Sequence, residues 1–96
     1  MKFTKDALLN GTSFKGDFYA TYDEIVAVFG QPDFGPNKDG DKVTCEWCLE
    51  FEDGTVATIY DWKQYETPMG NYLWHIGGHD YEAVERVLET MGRSLV

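Results

Sequence analysis

Residues 43–51 alternate strictly along the chain. Val43, Cys45, Trp47, Leu49 and Phe51 fall on one side, and Thr44, Glu46, Cys48, Glu50 and the following Glu52 on the other. A period of two is that of a β-strand, whose successive side chains point to opposite faces. Asp53-Gly54 then reads as a two-residue type I′ turn, and residues 55–62 as the returning strand of a hairpin. Such a turn sets Phe51 opposite Val56, Leu49 opposite Thr58, Trp47 opposite Tyr60 and Cys45 opposite Trp62. One hairpin face is then strongly aromatic. The other carries Glu46, Glu50, Asp61 and Lys63 with Cys48, Ala57 and Ile59.

A period near 3.6 appears twice. Tyr22, Ile25, Val26 and Phe29 share a face of a helix predicted over 22–29. Thr21 and Glu24 have the T-x-x-E spacing of a capping box, while Gly30 and Pro32 stop the helix. Val84, Val87, Leu88 and Met91 form the stripe of a second helix predicted over 81–91, with Asp80 at its cap and Gly92 at its end. Residues 72–76 read as a third strand, and Gly77-Gly78-His79 as a loop into that second helix. At the N-terminus, Thr4 is expected to cap a helical turn over 5–10 before a turn signal at 10–13. Residues 32–41 read as a polar loop. The expected fold is a single α+β domain over 1–96: an antiparallel meander of three to four strands with two main helices packed on one face.

Charge narrows the partners. Lys and Arg number 8 against 17 Asp and Glu, a formal net charge of −9. Such a chain lacks the cations that duplex binding draws on, and an anionic membrane repels it. A basic protein partner is favoured instead. No run is apolar enough for a signal peptide or a membrane span, so a cytoplasmic protein with reduced cysteines is expected.

Candidate chemistry is sparse. Cys45-x-x-Cys48 with His75-x3-His79 resembles a zinc set on paper, but residues three apart on a strand point to opposite faces, so no metal site is expected. No cofactor is expected either. Serines are only Ser13 and Ser94, the histidines lack an evident orienting partner, and the carboxylates lie on an open face; the chain reads as non-enzymatic. Two binding surfaces remain. Glu46, Glu50, Glu52 and Asp61 form an acidic face able to imitate a row of phosphates for a basic partner. Trp62, Lys63, Trp74 and His75 lie at neighbouring strand ends, where aromatic planes beside a cation can stack a base, and Gly77 and Gly78 could present N–H groups to it.

The run Thr21-Tyr22-Asp23-Glu24-Ile25-Val26-Ala27-Val28-Phe29-Gly30-Gln31-Pro32, with Glu46-Trp47, Asp53-Gly54-Thr55, Ile59-Tyr60-Asp61-Trp62-Lys63 and Trp74-His75-Ile76-Gly77-Gly78, resembles small accessory proteins encoded by bacteriophages. The resemblance brings no catalytic residue with it. It implies a context in which small acidic proteins bind and disable host defence factors, or sequester cyclic-nucleotide alarm signals. Three expectations follow: a non-enzymatic inhibitor that binds a host protein in the cytoplasm of an infected bacterium, a nucleotide sponge with its pocket in a homo-oligomer, or a structural adaptor.

Overall fold

The computed structural model describes residues 3–5, 11–37 and 42–93. Five strands form one antiparallel sheet: β1 (Phe3–Lys5), β2 (Ser13–Ala20), β3 (Glu46–Phe51), β4 (Val56–Tyr60) and β5 (Tyr72–Gly78). Helix α1 (Tyr22–Phe29) follows β2, and α2 (Glu82–Thr90) follows β5. The strand order is β1-β3-β4-β5-β2, so the expected meander β3-β4-β5 forms the centre and gains a strand at each edge.

Both edge strands correct the sequence reading. Phe3–Lys5 pairs with β3 as a strand, where a helical turn beginning after Thr4 was expected; the rest of that turn lies outside the described residues. β2 was not expected at all. Its alternation is interrupted between Phe14 and Gly16, where a bulge shifts the register against β5.

The hairpin register also differs from expectation. Phe51 N–H donates to Thr55 O (2.8 Å) and Gly54 N–H to Phe51 O (2.9 Å), enclosing the three-residue loop Glu52-Asp53-Gly54. Gly54 sits at φ 89°, the left-handed residue such a loop requires. The extra residue shifts the pairing by one, so Glu46 stands opposite Tyr60, Trp47 opposite Ile59 and Leu49 opposite Ala57. In a ladder of period two, one residue reverses the faces. Ile59 and Ala57 join Trp47, Leu49 and Phe51 in the core, and Tyr60 moves to the opposite face with Glu46.

The core lies between one sheet face and the two helices. Trp47, Leu49, Phe51, Ala57, Ile59, Trp74, Ile76, Phe18 and Ala20 meet Tyr22, Ile25 and Phe29 of α1 and Ala83, Val84 and Val87 of α2. α1 forms as its sequence dictates, with Thr21 Oγ1 accepting from Glu24 N–H (3.1 Å) and Glu24 Oε1 accepting from Thr21 N–H (2.7 Å). Its far end is fixed by Trp47 Nε1–H donating to Gly30 O (2.8 Å). α2 starts under the Asp80 carboxylate, which accepts from Glu82 N–H (2.9 Å). It ends in a Schellman motif, with Arg93 N–H on Leu88 O, Gly92 N–H on Glu89 O and Gly92 at φ 75°.

α2 lies unusually close to the sheet. A Cβ on Gly78 would overlap the Ala83 side chain, and one on Gly16 would stand 2.9 Å from Val84 Cγ2. Gly77 and Gly78 therefore belong to β5, paired with β2 and β4, and do not form the expected loop. Among the described residues, no helix is long and apolar enough to cross a membrane.

Candidate functional site

Among the described residues, no helix covers the other sheet face. Strand pairing lays a continuous row across it, Phe34–Glu46–Tyr60–His75–Asp17, from an isolated bridge beside β3 to the edge strand β2. Phe14 and Tyr19 of β2 join this face, and Trp62 follows Tyr60 at the end of β4. Exposure is 53% at Phe14, 60% at Tyr19, 49% at Phe34 and 38% at Trp62. The solvent side of the sheet thus carries several exposed aromatic side chains, with the carboxylates of Glu46 and Asp17 in the same row.

His75 is the hub of the aromatic group. Its ring lies 5.1 Å from Phe14, 5.3 Å from Tyr60 and 6.5 Å from Trp62, centroid to centroid. These four side chains line a cleft of about 260 Å³. Two ammonium groups lie near the Trp62 ring, Lys42 Nζ at 6.0 Å and Lys63 Nζ at 5.9 Å from its centroid. Burial pushes the Tyr60 phenol above its ordinary range, and Glu46 adds to the effect. Burial raises the Glu46 carboxyl too, opposed by the hydrogen bond its Oε2 accepts from Thr58 Oγ1–H (2.8 Å).

The corner bearing Trp62 is held from below. Asp61, immediately before it, is wholly buried and accepts from Thr44 N–H (2.8 Å), Thr44 Oγ1–H (2.5 Å) and Cys45 N–H (3.1 Å). Thr67 Oγ1 lies 2.9 Å from Thr44 Oγ1 and joins the network to the Asn37 backbone. From above, Trp62 N–H donates to the Tyr72 hydroxyl (3.0 Å), and Lys63 N–H donates to Lys42 O (2.7 Å). Lys63 has φ 56°, a left-handed conformation that a lysine adopts only when its surroundings fix it.

These positions redraw both surfaces expected from the sequence. In the acidic set, Glu46 and Glu50 lie on the uncovered face and Glu52 is exposed in the β3–β4 loop, but Asp61 is a buried structural carboxylate and belongs to no surface. In the aromatic set, Trp62, Lys63 and His75 come together. Trp74 does not. It is buried on the core face, 5.5 Å from Trp47, with its Nε1–H donating to Ala20 O (3.0 Å). Gly77 and Gly78 serve sheet pairing and close packing. Phe14 and Tyr60 complete the cleft, Lys42 lies beside Trp62, and all three were missed: Phe14 lies on the unexpected strand, Tyr60 on the face reversed by the register, and Lys42 twenty residues before Trp62 in sequence. Cys45 is buried in the core, its thiol pushed up to about 12, while Cys48 lies half-buried on the opposite face. Among the described residues, no three metal-ligating side chains converge.

Comparison with known proteins finds no matching family model, no matching curated protein and no matching solved structure.

Proposed function

We propose that the protein acts by binding, without catalysis, and that its main contact surface is the uncovered sheet face, which seats a protein with basic residues around an apolar centre. One observation carries this reading: Phe14, Tyr19, Phe34 and Trp62 are all substantially exposed on a single side of the sheet while the helices fill the other. Contiguous exposed apolar surface ringed by polar groups is characteristic of interaction sites, and aromatic side chains dominate binding energy at such centres. Glu46, Glu50 and Glu52 on and beside this face, with an overall charge of −9, favour a cationic rim on the partner. In the setting that the phage resemblance implies, the partner is a host defence factor met in the cytoplasm of an infected bacterium, and binding disables it.

The test compares three forms of the protein as bait in a host lysate: wild type, Tyr19→Glu with Phe34→Glu, and Tyr81→Ala at the start of α2. The reading requires a protein that wild type and Tyr81→Ala retain, that rising salt releases, and that the double variant fails to hold. Equal retention by the double variant would show that the contact lies elsewhere. A second reading, sequestration of a nucleotide, is favoured by the two lysines beside Trp62.

A further inference from the structure

We infer that the corner formed by Phe14, Tyr60, Trp62 and His75 is a small-ligand site for a planar heteroaromatic ring bearing phosphate, a nucleotide of mononucleotide size. It occupies one end of the uncovered face, shares Phe14 and Trp62 with the protein-binding surface, and rests on the second, nucleotide reading, whose ligand class it narrows.

Ring geometry comes first. The Trp62 and His75 ring centroids lie 6.5 Å apart with planes inclined by 33°, so the two rings are separated by close to the width of a ring stack. A third ring stacked between them needs about 7 Å, two layers at the optimal carbon–carbon separation. A small rotation of the partly exposed Trp62 side chain supplies the difference. Phe14 and Tyr60 close the slot at 5.1 and 5.3 Å from His75, so an inserted ring meets aromatic surface on several sides. At about 260 Å³ the cleft falls below the roughly 300–1,000 Å³ of pockets for drug-sized molecules. It suits one base, with sugar and phosphate left outside.

Charge places the phosphate. Only 8 residues of the chain are Lys or Arg, and two of them hold their ammonium groups about the Trp62 ring. The Lys63 N–H to Lys42 O hydrogen bond fastens their backbones together, so the two arrive as a pair. An anion attached to the stacked ring meets them at the rim, where charge-assisted hydrogen bonds to phosphate oxygens are favourable. Asp17 and Glu46 flank His75 and Tyr60 in the same row and oppose any longer polyanion crossing the face. The site therefore selects a short ligand over a strand. The corner is also pre-organised: the buried Asp61 network and the left-handed Lys63 fix the backbone on both sides of Trp62 before any ligand arrives.

The experiment uses ¹⁵N-labelled protein titrated separately with AMP, GMP, CMP and UMP, with adenosine, with inorganic phosphate and with a short single-stranded oligonucleotide. The chain has three tryptophans. Trp47 and Trp74 are buried with their indole N–H groups hydrogen-bonded to Gly30 O and Ala20 O, so their signals report the fold while that of Trp62 reports the cleft. The expected result is saturable movement of the Trp62 indole and His75 amide signals by at least one mononucleotide below about 1 mM. Trp62→Ala should abolish the His75 shift while leaving the Trp47 and Trp74 signals in place. Lys42→Ala with Lys63→Ala should weaken binding about tenfold or more. The inference is overturned if no mononucleotide saturates these shifts, if adenosine binds as tightly as AMP, or if inorganic phosphate alone reproduces them. Tighter binding of the oligonucleotide than of any mononucleotide would overturn the assignment of a short ligand.

Discussion

The Asp61 carboxylate and the Thr44 hydroxyl hydrogen-bond to one another at 2.5 Å, and solvent reaches neither residue. Asp61 also takes the Thr44 and Cys45 backbone N–H groups, while Thr44 Oγ1 leans on Thr67 Oγ1. The pair ties the α1–β3 and β4–β5 connections together at the end of the sheet and fixes the position of Trp62. Asp61→Ala strands two buried N–H donors and the hydroxyl. A hydrogen bond to a charged group is worth about 1.5–3 kcal/mol, and an unsatisfied buried donor costs a comparable amount. The expected loss is about 3 kcal/mol, which in a domain of this size lowers Tm by on the order of 15 °C. Thermal melting checks it. Glu50→Ala on the open face should shift Tm by no more than a few degrees.

Trp62 and Trp74, which the sequence places at neighbouring strand ends, should behave oppositely. Trp74 is buried against Trp47 and Tyr72, and its truncation to alanine empties a core site at a cost of about 3–5 kcal/mol. Trp62 is 38% exposed, and Trp62→Ala should cost no more than about 1 kcal/mol. Urea unfolding of the two variants separates them, and a large loss for Trp62→Ala would mean that the corner is part of the core.

How much of this could be seen in the chain depends on how local the determinants are. α1 spans the residues its sequence indicates, because the Thr21–Glu24 box and the Gly30 stop act within nine residues of one another. The β3–β4 hairpin is legible as a hairpin, but its register is not, because Asp-Gly serves equally well as a whole two-residue turn or as the end of a three-residue loop. That single residue decided which side of the sheet Tyr60 faces. β2 was hidden by its bulge: Phe14 and Phe18 fall on opposite faces although their spacing is even. Gly77 and Gly78 look like loop punctuation until α2 is seen to rest on the strand. Asp61 continues an apparent alternation of charge, and only Thr44 and Cys45, arriving from the α1–β3 connection, make it a buried acceptor.

Close approach of α2 to β5 sets a third expectation. Gly78→Ala puts a methyl into the Ala83 side chain and near Val56 O, and overpacking of this kind costs about 1–3 kcal/mol. Gly70→Ala meets nothing within 4 Å, so it should be close to neutral. Comparable losses from both substitutions in denaturant melts would contradict the packing account.

The cysteines should differ in reactivity. Burial, reinforced by Asp61 and then Glu46, pushes the Cys45 thiol up to about 12, whereas Cys48 is half-buried on the sheet face away from the core. The thiolate is the reactive species, so at neutral pH Cys45 should remain unmodified in the folded protein. Mass spectrometry after iodoacetamide treatment should find one adduct, at Cys48, under native conditions and two after denaturation. Rapid native labelling of Cys45 would show that the corner around Asp61 opens readily.

Acid stability follows from the contact between the β3–β4 loop and α2. Asp53 Oδ2 accepts from Arg86 Nε–H at 2.8 Å, and Asp53 Oδ1 accepts from Thr55 N–H at 3.0 Å. The Arg86 guanidinium first, and the Thr55 hydrogen bonds after it, hold the Asp53 carboxyl down at about 2 from its ordinary 3.8. A carboxyl depressed on folding binds its proton more readily in the unfolded chain. The stabilisation it confers is therefore complete above 3.8 and is lost as pH falls from there through about 2. In Asp53→Asn, the decline in Tm between pH 4 and pH 2 should be shallower than in wild type, about one carboxylate's share of the slope, while added salt should weaken the wild-type contact at neutral pH. Parallel pH–Tm curves for the two proteins would mean that Arg86 does not hold the loop in solution.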